Sequence, residues 1–449
     1  MIHRFKWYRS LWSVAAILST TALPVAGDTF SRSAQAGDGE KHWCGFQNCG
    51  QGIDFELPIS WGAAAGTVAW QSDIKGYGQS SPVVYAETVF ATSTSGDNKD
   101  MFHVSAFDLQ TGESLWTIDF DNPTLEENNS YVSRSAPSPV VDANGLYVFN
   151  EGGFLAALDH GGSLLWKRDL VAEFGPIKAR HGLASSLEQD KDSLYVWVER
   201  GDSPYLMSVS KKTGQTLWKS AGLGATTWGS PRLIDVDGRQ HLVCSASGRV
   251  VGFDPSTGDR LWELTGLANN TSSTPMPVSE GRFFISASDG RGEESAANAQ
   301  KSNGLVEVTR RENGSYQADF LWRAEKASCS FGSPIVAGGK VWLVNRTGAL
   351  YQLDLQTGAQ LSVERVKAGS IWASPLSDSK HVFFFGQKGT TSVIDIVTGN
   401  EVATNSLWES TPAVPGEPAV TSDHVQYAAV ASQGSLLIRR GDRLYAIRH

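Results

Sequence analysis

Ala106-Phe107-Asp108-Leu109-Gln110-Thr111-Gly112-Glu113-Ser114-Leu115-Trp116 decides the fold, because its pattern returns along the chain. Upstream stand Ser81-Pro82-Val83-Val84 and a second apolar run over residues 88–92. One unit therefore reads Ser-Pro, two apolar runs, a third ending near an Asp, then Thr-Gly-x-x-Leu-Trp. Further units start at Ser138-Pro139, Ser185-Ser186, Ser230-Pro231, Thr274-Pro275, Ser333-Pro334 and Ser374-Pro375, with a degenerate eighth at Tyr427-Ala428-Ala429-Val430. The spacing is typically 41 to 47 residues, and the longer intervals after Ser81 and Thr274 leave room for insertions at 95–100 and 289–303. A period of this size, holding four short strands and a turn, is that of a propeller blade. Paired helices are excluded because the runs are short, β-branched and aromatic, and are broken by Gly and Pro.

The two ends of the chain complement one another. A Gly stands four residues before a Trp at Gly112/Trp116, Gly162/Trp166, Gly214/Trp218 and Gly258/Trp262, and again at Gly66/Trp70, before any full unit has begun. The last unit stops without its Thr-Gly-x-x-Leu-Trp end. The sequence thus predicts an all-β, eight-bladed β-propeller of four-stranded antiparallel blades, closed by an N-terminal strand that completes the last blade. Within a blade, Thr-Gly marks a tight turn needing positive φ at Gly. Each Trp supplies a large flat face to pack between blades and an N–H to bond to backbone.

With 41% hydrophobic and 10% aromatic residues, 46 Gly and only 4 Met, the 449-residue chain suits many short strands around a large core. Its formal charge is −9, and a leader ending at Gly27 would carry Arg4, Lys6 and Arg9 and no acid, leaving the remainder more acidic still. Such a protein has no electrostatic reason to bind nucleic acid. Residues 1–9 are basic and 11–26 mostly apolar, and Val25-Ala26-Gly27 and Ala34-Gln35-Ala36 both offer small residues for cleavage. The expected organisation is a signal peptide over 1–27, with cleavage as late as 36, an N-terminal segment over 37–60, and the propeller over 61–449. Export to the periplasm or the extracellular space follows, with no membrane span in the mature chain. No Cys directly follows the apolar run, which argues against lipid attachment there.

Of four cysteines, Cys44 and Cys49 are close enough in sequence to form a small disulfide loop; free thiols and a metal role stay open as alternatives. Cys244 reads as a small core residue. The nine His show no metal-ligand spacing, and no metal site is expected. Asp235-Val236-Asp237-Gly238 has the start of a calcium loop but no ligand Glu at the right place, and reads as a hairpin turn.

Ala106-x-Asp108-x-x-Thr111-Gly112-x-x-x-Trp116 resembles the repeat of pyrroloquinoline-quinone (PQQ)-type propellers, a family that includes dehydrogenases and the scaffold propellers of outer-membrane protein assembly. Partial copies end at Trp166, Trp218, Trp262 and Trp322, while Ser362 and Ala403 stand where Trp is expected. His42-Trp43-Cys44-Gly45 with Leu57-Pro58-Ile59-Ser60-Trp61 is similar to the N-terminal segment of exported PQQ-like proteins. The dehydrogenase resemblance implies PQQ and Ca²⁺ in the central funnel beneath a vicinal disulfide; here no two cysteines are adjacent, and no calcium ligand or base can be matched residue by residue. The reading taken is a non-catalytic scaffold that binds a ligand or an exported or envelope protein, without a retained quinone or other cofactor, and monomeric. The alternative is an enzyme, either a divergent PQQ-dependent dehydrogenase or a polysaccharide-active protein using the funnel.

Residues just before each Ser-Pro are expected to line the funnel rim. Two positions before the start, the row includes Gln79, Leu183, Trp228, Phe331, Trp372 and, in the degenerate blade, Tyr427. Arg134 and His181 fall four positions before it in adjacent blades, with Arg180 alongside. The functional expectation is that Arg134, Arg180 and His181 hold an anionic group between the stacking faces of Trp228 and Trp372. The structural one is that the Trp side chains plug the channel and Arg134 pairs with Glu151 or Asp159. No residue is assigned a catalytic role.

Overall fold

Short strands buried on both faces build the inside of each blade, with alternation confined to the outer strand, and the resulting sheets follow the repeat. In the computed structural model, the described residues are 42–44 (backbone), 53, 55–62, 66–128, 132–179, 181–199, 202–225, 227–272, 274–288, 298–329, 331–408 and 425–449. They lie in a compact unit covering residues 32–449. The expected leader and Cys49 fall outside the described residues, as does the side chain of Cys44; Cys244 and Cys329 are both buried.

Eight antiparallel sheets succeed one another. Blade one runs Val83–Tyr85, Thr88–Ser95, Met101–Asp108 and Ser114–Asp121, from the innermost strand outward. The next six blades repeat that order. Blade eight draws Gln426–Ser432, Ser435–Arg440 and Arg443–Ile447 from the C-terminus, and its outer strand is Val68–Asp73, paired Val68↔Ile447 and Trp70↔Ala446. The ring is closed by an N-terminal strand. Arg439, fully buried on the middle of that last blade, reinforces the closure by donating to the carbonyls of Ser80 (3.0 Å) and Thr92 (2.6 Å) of blade one.

The core is divided between the blades. Phe90, Val104 and Ala106 of blade one meet Leu146, Val148 and Ala156 of blade two. On its opposite face Val84, Val89 and Ala91 meet Val430, Leu437 and Leu444 of blade eight. A strand's two faces thus serve two different interfaces, which is why inner strands read as nearly continuous apolar runs.

At the outer rim the Trp row performs one repeated contact. The indole N–H of Trp70 donates to Leu109 O (2.9 Å), and that of Trp116 to His160 O (3.1 Å), each in the following blade. The same reach takes Trp166 to Lys211 O, Trp218 to Pro255 O and Trp322 to Leu355 O. Each indole face covers the Gly of the next Thr-Gly turn: a Cβ on Gly112 would lie 2.5 Å from Trp70, and one on Gly358 2.4 Å from Trp322. Gly is required there twice, by its φ of +73° at Gly112 and by the ring above it.

Departures from the row have visible substitutes. Trp262 folds back over Gly252 of its own blade and donates to His241 Nδ1 (3.0 Å), because blade five turns through a longer Arg311–Ser315 hairpin loop instead of Thr-Gly. Where Ser362 replaces Trp, the Gln352 amide covers Gly399. Where Ala403 replaces it, Trp61 of the N-terminal segment packs into the cluster that Ala403 borders, its backbone N–H held by Asn405 Oδ1 (2.9 Å). Asp237-Gly238 is a hairpin turn between Val236 and Arg239, with φ of +52° and +69°, as its sequence predicts. Among the described residues no helix is long and apolar enough to cross a membrane.

Candidate functional site at the mouth of the ring

Every inner strand starts at the same end of the ring, so the residues at its start converge on the central axis. The Ser of each unit does so through a hydrogen-bonded relay. Ser81 N–H donates to Ser138 Oγ (2.9 Å), Ser138 to Ser186 Oγ (2.9 Å), Ser186 to Ser230 Oγ (2.9 Å) and Ser230 to Thr274 Oγ1 (3.1 Å). The relay corrects one expectation: in blade three the unit starts at Ser186, not Ser185. With that shift Ala184 lines the mouth, while Leu183 is buried between blades two and three. Two consecutive serines hide the offset in the sequence.

These hydroxyls, with Ser333 and Ser374, surround an open cup of about 140 Å³. Above them stand Trp228, Phe331 and Trp372, each two positions before its Ser, and Tyr427 of the degenerate unit. The last three form an arc, with Phe331 and Trp372 centroids 5.7 Å apart and Trp372 and Tyr427 6.1 Å apart. Tyr77 extends it across the chain closure, its hydroxyl 2.9 Å from that of Tyr427. This pairing of the first and last blades carries no local signal in the sequence. At the far side of blade one, the strand His42–Cys44 pairs antiparallel with Val83–Tyr85 and lies against the inner strands of blades two and eight, which puts chain inside the channel.

Arg134 and His181 are drawn together by backbone, through Ser133 N–H and His181 O (2.9 Å). Their side chains take different surroundings. The Arg134 guanidinium is buried and stacks 3.6 Å above the Tyr77 ring, outside the cup lining, while Gln79 brackets its backbone. The exposed His181 ring lies 6.1 Å from Trp228. Arg180 is outside the described residues. Glu151 is committed to Lys99 and to the Ser135 N–H, and Asp159 to the Ser163 N–H of its own turn.

A second hollow of about 210 Å³ opens on the same face, among loops of the first three blades. The buried Lys99 ammonium bonds Ser133 O (2.9 Å) and Glu126 and lies 3.5 Å from Glu151. Burial pushes the Glu151 carboxyl up, against the pull of Lys99. Lys99, Ser135 and His181 all have left-handed φ, between +50° and +62°, so strained backbone gathers on this face.

Elsewhere, Ser95 Oγ, His103 Nε2, His103 Nδ1 and Asp119 Oδ1 form a relay of 2.8 and 2.7 Å, continued to Lys75. The imidazole is fully buried, and burial holds its pKa down. The relay ties the linker after the closing strand to blade one.

The donors around the cup are neutral hydroxyls, one amide and aromatic rings. A calcium-held quinone calls for several carboxylate or carbonyl oxygens around the ion, and the described lining, with no carboxylate and one side-chain amide, does not fit that pair. No group of three His, Cys, Asp or Glu among the described residues is arranged to hold a metal ion.

Fold and mouth together define the class, an eight-bladed β-propeller of PQQ-like repeats. The family model described as outer membrane protein assembly factor BamB matches residues 51–176, 101–364 and 207–448. The chain belongs to that family. It is 22% identical over 289 residues to the BamB of Yersinia pestis, covering 64% of each chain, and 26% identical over 221 residues to that of Salmonella typhimurium, covering 47% of this chain and 48% of the relative. The chain thus spans less than two thirds of the length of these relatives. Among solved structures, BamB from Moraxella catarrhalis superposes with a TM-score of 0.59 at 14% identity, over 85% of this chain and 99% of that one. The quinohemoprotein alcohol dehydrogenase of Comamonas testosteroni gives 0.53 at 12% identity, over 87% and 78%; at such identity both show the fold alone.

Proposed function

We propose that this protein is an exported, non-catalytic scaffold of the cell envelope that assists the assembly of outer membrane proteins by binding protein partners. The observation that carries the reading is the family match running from residue 51 to 448, through all eight blades. The physical basis is a rigid ring bearing long connections on its mouth face, where variable loops serve recognition. The uncharged cup supports a reading without quinone chemistry. Location in the periplasm, and the leader over 1–27, belong to the same proposal.

Photo-crosslinking tests it. Leu125 is 63% exposed on the mouth face, and a photoreactive residue placed there in the living host should join the chain to envelope proteins engaged in outer membrane protein assembly. Adducts confined to metabolic enzymes, or none, would count against the scaffold. Calorimetric titration of PQQ with and without Ca²⁺ separates the dehydrogenase alternative: no heat is expected, and tight calcium-dependent binding would reverse the reading.

A further inference from the structure

We infer that the mouth cup is a binding site for a single neutral sugar ring, presented free or at the end of a glycan. Three features converge on that chemistry. Among the described residues the lining carries no charged side chain, so it offers no ion pair to a ligand. Ser138, Ser186 and Ser230 each accept a backbone N–H at 2.9 Å, which fixes the oxygen and leaves the hydroxyl proton available for a further acceptor. A ring of oriented hydroxyls matches the alternating donors and acceptors of a polyol. Above it, Trp372 and Trp228 are partly open, and Phe331 is 49% exposed. Aromatic faces carry negative potential that attracts the polarised C–H groups of a pyranose.

Size and access agree. The cup is about 140 Å³, suited to one small ring, and opens to solvent. Arg134 takes no part, being stacked on Tyr77.

Saturation-transfer NMR on the full chain tests the site, with methyl glucoside and N-acetylglucosamine as free rings and maltotriose and chitotriose as chain ends. Transfer to at least one sugar is expected. Trp372→Ala should weaken it roughly tenfold, the loss of one stacking contact. Ala136→Leu, which fills the cup and removes no contact, should abolish it. Equal transfer to a free ring and its trimer assigns the cup to a lone ring; a trimer bound tenfold more tightly assigns it to a chain end. No transfer from any of the four sugars, or transfer that survives Ala136→Leu in a variant with an unchanged unfolding midpoint, overturns the proposal. A peptide rich in Tyr and Pro that binds where the sugars do not overturns it as well.

Discussion

Gly112 and Gly66 are both left-handed, with φ of +73° and +66°, yet only Gly112 carries an indole over its face. Alanine at Gly66 meets nothing within 4 Å and should cost about 1–2 kcal/mol, the left-handed penalty alone. Alanine at Gly112 adds a 2.5 Å approach to Trp70 and should cost well beyond that, as urea midpoints of the two variants would show. His241 supplies a pH-dependent test. It accepts the Trp262 N–H on Nδ1 and must stay neutral to do so; burial lowers its pKa from 6.5 to about 4. The unfolded chain therefore takes up a proton first. The contribution of His241 is flat above about pH 6.5 and falls between there and pH 4, by ~3 kcal/mol for the full shift. His241→Gln should make this limb shallower in a pH series of denaturant melts, leaving the part that the buried His103 contributes. Lys99→Met strands Glu151 without its cation and should cost about 3–5 kcal/mol, with partial rescue by adding Glu151→Gln.

At the scale of the element, the strand Val68–Asp73 belongs to the blade farthest from it in sequence. A chain starting at residue 75 leaves Arg443–Ile447 as an open edge. Its expected behaviour is a broader, earlier thermal transition with concentration-dependent association in size-exclusion chromatography; a sharp, unshifted transition would show that closure contributes nothing. This closure was legible in the sequence because Gly66/Trp70 repeats a spacing that the last unit lacks. The unit starts were legible in the same way, except at Ser185-Ser186, where two candidates for one position differ only in the partner each reaches; the hydrogen-bonded relay between them was not. The Trp262–His241 pair and the Tyr77–Tyr427 contact were not, since both depend on how a neighbouring blade or the other terminus turns. Sequence placed Arg134 and His181 near the mouth, but the stacking of Arg134 on Tyr77 follows from that same long-range closure.

The described ring distributes its apolar core over interfaces between blades, so it is held by many similar contacts. That division of labour suits the proposed scaffold: Thr-Gly turns and indoles on one side maintain the ring, while the Ser relay, the aromatic arc and the longer loops form the opposite face. The most direct test of the scaffold reading is to delete the gene in its host and quantify folded outer membrane β-barrels by heat-modified electrophoretic mobility. The account predicts a marked fall in folded barrels, restored by the wild-type chain and poorly restored by one lacking Val68–Asp73. Unchanged levels of folded barrels in the deletion strain would contradict it.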